Sequence, residues 1–255
     1  MISRIRQSLH GHWHNFLRLS PEDRFSEAVW WIFLIWSTVG LFIMAAGVTE
    51  QTVLALDLGP TLQPAALACL HWGDFLFLLF GAIVVWTTAS GVLPRRDAWK
   101  AVWVVAVGSG LVETIGTLTG FPFGSYTYLG RMGPQIGPLP LAIPAAWWMV
   151  VAGFYLTFRR LLPHAGRRSL CLLTASAATA FDWVMEPFAW QVRGYWQWHD
   201  GRVPAENYAA WFVLSFLLAR LAPLHSPVGW KTDLRAAGVL ALTLMLFVVG
   251  RLAAA

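Results

Sequence analysis

An all-α polytopic membrane bundle of about seven transmembrane helices is predicted by three features of the sequence. Of 255 residues, 57% are hydrophobic and only 12% charged, against roughly 25% charged in a soluble domain. The apolar residues fall in long continuous runs, not in alternation, which selects helices over a closed barrel, the other architecture that satisfies its backbone in lipid. Finally, the basic residues alternate between dense and sparse from one connecting segment to the next.

The elements follow in chain order. Ile2, Ile5, Leu9, Trp13 and Phe16 recur at helical spacing among Arg and His, the pattern of an amphipathic helix lying on the membrane surface over 1–19; a disordered tail is the plainer alternative. "SPED" at Ser20–Asp23 marks a helix start, with Ser as N-cap, Pro in the first position and acids in the first turn. Seven apolar runs then cover 27–48, 65–93, 100–119, 139–159, 169–188, 206–223 and 234–252. The first is too long for the core of a cleavable signal. The sixth and seventh are clipped by Arg220 and Arg251. Without internal repeats or low-complexity linkers, the chain reads as one domain, 1–255.

Arg and Lys, tallied by segment between those runs, split fourteen to four in strict alternation. The positive-inside rule then places the N-terminus in the cytoplasm and the C-terminus outside. The net charge of +5 thus expresses topology and gives no sign of nucleic-acid binding. Cys69 and Cys171 both fall inside apolar runs and read as small buried apolar residues. They offer neither a disulfide framework nor a zinc pattern, and no metal is expected. The chain carries sixteen Trp and sixteen Phe, enough for interfacial belts and also for the walls of a large, flat, apolar ligand's site.

Four acids and one histidine lie within or at the ends of these runs: His71 and Asp74 in the second, Glu113 in the third, Asp182 and Glu186 in the fifth. At roughly 1.5 Å per residue, Glu113 lies about 20 Å beyond Lys100 and Asp182 about 21 Å beyond Arg168. All five groups therefore fall in the outer half of the bilayer. His71 and Asp74 are spaced to share one helix face, as are Asp182 and Glu186. An acid in the bilayer costs about 2.5–3.5 kcal/mol on insertion scales, so five ionisable groups at one depth point to function. The plainer reading makes each a helix-packing partner, such as His71 with Asp74. Two carboxyls on one face of a dry site favour one of them holding a proton. A neutral acid among aromatic rings can protonate a weak base such as an alkene, and rings or nearby anions then steady the cation. Two aromatic, Gly-rich stretches on the same side, Gly120–Pro138 and Trp190–Asn207, are expected to fold over the acids as a lid.

At these motifs the chain resembles the bacterial and archaeal membrane carotenoid-biosynthesis family that includes the carotenoid 1′,2′-hydratases, of the bisanhydrobacterioruberin and γ-carotene hydratase type. The matching stretches are "ETIGTLTGFPFGSYTY" at 113–128, "PLPLAIPAAWWMV" at 138–150, "TAFDWVMEPFAW" at 179–190 and "WQWHDGRVPAENYAAW" at 196–211. They cover about the central half of the chain in consistent order. The resemblance implies water addition across the terminal double bond of an acyclic carotenoid, giving a tertiary alcohol. It implies neither redox cofactor nor metal, a location in the inner cell membrane, and other carotenoid-pathway enzymes as partners. By motif position it marks Glu113, Asp182 and Glu186 as the catalytic acids, with Asp182 the expected proton donor and Glu113 positioning or deprotonating the water. His71 and Asp74 complete the catalytic candidates. Phe123, Tyr126, Tyr128, Trp196, Trp198 and Asn207 are expected to bind substrate at the mouth of the pocket.

Other readings use the same residues differently. A lycopene-type cyclase shares the protonation step and closes a ring where a hydratase admits water. A proton-coupled transporter also uses intramembrane acids. A retinal protein would need a lysine in the last run, and the lysines are Lys100 and Lys231. A haem or quinone protein would want paired membrane histidines, and only His71 lies inside a run. The alternate histidines of "HGHWH" at 10–14 are a weak metal signal in a basic tail.

Overall fold

Hydrophobicity on every side of one helix organises the bundle. The computed structural model describes residues 19–225 and 233–254; the surface helix expected over 1–19, the "HGHWH" stretch and Lys231 lie outside them. The described elements are α1 (Pro21–Ala45), α2 (Glu50–Ala55), α3 (Gly59–Val92), α4 (Arg95–Thr119), β1 (Tyr126–Tyr128), β2 (Gln135–Ile136), β3 (Leu139–Pro140), α5 (Ala142–Leu161), α6 (Arg167–Glu186), a π-helical segment (Pro187–Val192), β4 (Trp196–Trp198), α7 (Ala205–Leu221) and α8 (Arg235–Ala253). In α5 the whole run from Trp147 to Ala152 is buried. A helix apolar all round must sit inside, and α5 contacts α3, α4, α6, α7 and α8. The other long helices close a ring around it in the order α1, α3, α4, α7, α6, α8 and back to α1, with α6 and α7 in the longest contact.

Outward, the ring shows hydrocarbon. Trp31, Ile35 and Phe42 on α1, Trp103 and Leu118 on α4, Val213 on α7 and Leu252 on α8 are all exposed. An apolar surface this extensive belongs in a bilayer. By length and composition four helices are able to cross one: α1, α3, α4 and α8. The expected start of α1 is present: Ser20 caps the helix by accepting from the Asp23 amide, with Pro21 first and Glu22 and Asp23 in the first turn. Cys171 is buried as expected, but Cys69 is exposed on α3.

Two short antiparallel ribbons interrupt the helical pattern, β1 with β4 and β2 with β3. The first joins the two stretches expected as a lid. Its register pairs Tyr126 with Trp198, Thr127 with Gln197 and Tyr128 with Trp196. Alternation along each strand sends the four aromatics to one face and exposes Thr127 and Gln197 on the other. The chain reaches the ribbon because Gly120, at φ 80°, ends α4 in the left-handed conformation that glycine adopts without penalty.

Candidate active site

Under the ribbon lies a cavity of about 420 Å³. It sits at the end of the bundle where α1, α4, α6 and α8 finish and α3, α5 and α7 begin, since residues from those ends line it together. Glu113, Asp182, Glu186 and Asp74 all line it, as do Phe123, Tyr126, Tyr128, Trp196, Trp198 and Asn207. His71 does not. It lies exposed on α3 with its ring edge-on to Trp72, because the three-residue step to Asp74 leaves the two side chains about 60° apart around the helix and the edge of the cavity falls between them.

The three buried acids differ in how many donors each accepts from. Glu113 Oε2 accepts from the Tyr126 hydroxyl at 2.7 Å and the Tyr128 hydroxyl at 2.8 Å, and its Oε1 from the Trp147 indole at 2.8 Å. Glu186 Oε2 accepts from the indoles of Trp198 at 3.0 Å and Trp196 at 3.3 Å. Asp182 Oδ2 accepts from the Asn207 amide at 2.7 Å, and the same amide reaches Glu186 Oε1 at 3.4 Å. Among the described residues Asp182 Oδ1 has no hydrogen-bond partner, although the residue is fully buried.

The inner face of the ribbon is therefore a set of donors divided between two acids, tyrosines to Glu113 and tryptophans to Glu186. Burial and the adjacent Glu113 carboxyl push the hydroxyls of Tyr126 and Tyr128 above the ordinary tyrosine range, so both remain protonated donors. The aromatics pack across the strands, with Tyr126 and Trp198 ring centroids 5.2 Å apart and those of Tyr128 and Trp196 at 6.2 Å. Gly116, one turn beyond Glu113, makes room for this cover: a Cβ there would come within 2.7 Å of the Phe123 ring.

Asp74 has a different partner from the one its spacing suggested. Arg193, just after the π-helical segment, donates to Asp74 Oδ2 through both Nε and a terminal nitrogen. The guanidinium also lies 5.9 Å from the Tyr195 ring centroid. Residue spacing had offered His71 as the neighbour, whereas tertiary folding brings in a cation from far along the chain. The pair joins α3 to the loop behind the ribbon. Asp74→Ala is expected to lower stability by about 1–2 kcal/mol, since Arg193 is left half-buried without its acceptor. Thermal unfolding in detergent reads this.

Trp147 and Trp211, missed as site residues from sequence, stack at a centroid distance of 4.0 Å and form one wall. A tryptophan at membrane depth whose indole needs an acceptor is the signal that would have found Trp147. The assembled site offers one acid with an unpartnered oxygen, two acids already furnished with donors, and ring faces between them.

Residues 73–254 match the family model described as carotenoid biosynthesis protein. Bisanhydrobacterioruberin hydratase of Haloarcula japonica is 30% identical over 146 residues, which span 54% of this chain and 50% of that protein. The chain thus matches about half the length of this curated relative. No solved structure matches. The family match takes in all of the site's acids and every strand of its cover, and on that ground the chain belongs to the carotenoid biosynthesis protein family.

Proposed function

We propose that the protein is a cofactor-independent carotenoid 1′,2′-hydratase, adding water across the terminal double bond of an acyclic carotenoid. The observation that carries this reading is the unpartnered Asp182 Oδ1 in an aromatic cavity that it shares with a fully furnished Glu113. A carboxylate accepts hydrogen bonds and donates none. Glu113, with three donors, is built to hold negative charge, and Asp182 has an oxygen left to carry a proton. Proton transfer from Asp182 Oδ1 to the less substituted alkene carbon breaks the π bond and leaves a tertiary cation. The rings of Trp147, Trp211 and Phe181 line the cavity and steady that cation, at about 2 kcal/mol or more for a desolvated contact. The charges of Glu113 and Glu186 act in the same direction. Water attacks to form the C–O bond. The oxonium formed is a strong acid, so even a carboxylate held by three donors removes its proton. The proton on Glu113 returns to Asp182 between turnovers, and one water is added in a redox-neutral sum.

The reading extends to the whole molecule as a single transmembrane domain. All seven long helices cross the bilayer, giving a multi-pass protein of the bacterial or archaeal inner membrane with a cytoplasmic N-terminus. α5, α6 and α7 fall outside the four that qualify by length and composition alone: α6 carries Arg167, Arg168, Asp182 and Glu186, and α7 has 17 residues. α5 crosses inside the ring and α6 and α7 are part of it, with Asp182, Glu186 and Asn207 turned to the cavity and not to lipid. The direct test is expression in a bacterium that makes lycopene or γ-carotene, with mass analysis of extracted pigment. A product heavier by one water per reacted end is expected. A ring-ended isomer of unchanged mass would assign a cyclase, and unaltered pigment would rule out both enzymes.

A further inference from the structure

Away from Glu113, Asp182 and Glu186, the cavity continues as an apolar arm between α1 and α3. α1 contributes Trp36, Val39, Gly40, Ile43 and Met44, a strip along one helix face, and α3 contributes Cys69, Leu70 and Gly73. Val39 is 49% exposed and Cys69 is exposed, so the arm opens on the surface that faces lipid. Trp36 donates its indole N–H to the Gly73 carbonyl at 3.0 Å and fixes the two helices beside the opening.

Gly73 is the informative residue. It lies well inside the 34-residue helix α3, where glycine is a poor helix former. Two glycines of this helix contrast. A Cβ at Gly81 would come within 2.7 Å of the Met149 sulfur, whereas a Cβ at Gly73 would meet no atom within 4 Å. Close packing explains Gly81 and does not explain Gly73. The missing side chain at Gly73 keeps the arm open.

Ligand pockets run from about 300 to 1,000 Å³. At about 420 Å³ this one holds the end of a long polyene but not its length. We infer that the α1–α3 arm is a lateral entrance from the bilayer, through which one end of a polyene reaches the acids while the rest of the chain trails past Gly73 into lipid. This rests on the reading of the site given above and adds to it the route and the handling of one end at a time.

Gly73→Leu fills the arm from one wall, and Val39→Trp fills it from the other at a position already on the surface. Val213→Trp places the same bulk on the lipid face of α7, away from the cavity. In lycopene-producing cells the first two are expected to lower hydrated product per protein at least tenfold at unchanged membrane abundance, and the third to leave it at the wild-type level. Wild-type product from both arm variants would overturn the inference. If Gly73→Leu fails to accumulate, Val39→Trp decides alone. If the wild type makes no hydrated product, the hydratase reading falls, and lycopene retained by the purified proteins decides the entrance separately. At least tenfold less pigment on the arm variants supports it, and equal loads, or none on the wild type, overturn it.

Discussion

Replacing Asp182 by asparagine is expected to reduce hydrated product by at least a hundredfold while the protein still accumulates in the membrane. A positioned general acid contributes about 10²–10⁴ in rate, and an alkene in a dry cavity has few other proton sources. Asparagine keeps the shape and keeps an oxygen for the Asn207 amide, which donates at 2.7 Å. The new amide nitrogen falls where Oδ1 already lacks a partner, so stability should change by no more than about 1–3 kcal/mol. Product is read by mass of extracted pigment, and folding by abundance and melting in detergent. Glu186→Gln serves as the comparison. Glu186 accepts from two indoles and is placed as a charge and not as the proton carrier, so a loss of roughly tenfold is expected there. Asp182→Asn protein that keeps more than a tenth of wild-type product would remove Asp182 from the donor role.

The helices were legible because hydrocarbon leaves little choice. Long apolar runs must be helical, and all seven recur as helices whose ends lie within six residues of those expected, the first and second starting six residues early. The acids were legible for the opposite reason: a carboxyl placed among Val, Ala and Phe is costly enough to mark its own position. Glu113, Asp182 and Glu186 do meet in one cavity. The ribbon was not legible as strands. Three residues are too few for a period-two pattern to register, and the partners Tyr126 and Trp198 are brought together only by tertiary folding. Only the aromatic content of the two stretches hinted that they cover one site. Helical spacing also misled at His71, since residues three apart sit at neighbouring but different angles around the helix, and at this one the cavity ends between them. Arg193 was hidden by its location. A cation in a connecting loop reads as topology until the fold shows Asp74 beside it.

Substitutions at Glu113 separate its hold on the cover from its proposed part in the chemistry. Glu113→Ala is expected to destabilise the protein by about 3–9 kcal/mol, because three buried donors lose their acceptor at about 1–3 kcal/mol each. That is comparable to the whole stability of many domains, so little protein should accumulate. Glu113→Gln should behave differently. One amide oxygen still accepts from the Trp147 indole, which cannot reverse its role. The amide nitrogen faces the hydroxyls of Tyr126 and Tyr128, and each can rotate to accept instead of donate. The cover therefore stays seated at a cost of about 1–3 kcal/mol, while the site loses the anion that in the proposed mechanism steadies the cation and takes the proton from water. Product should fall at least a hundredfold, as for Asp182→Asn, but for want of the base and its charge. Abundance measured beside product tells the two substitutions apart: alanine removes both together, and glutamine removes product alone. Equal accumulation of the alanine and wild-type proteins would mean that Glu113 does not anchor the ribbon, and substantial product from the glutamine protein would mean that its charge is not needed.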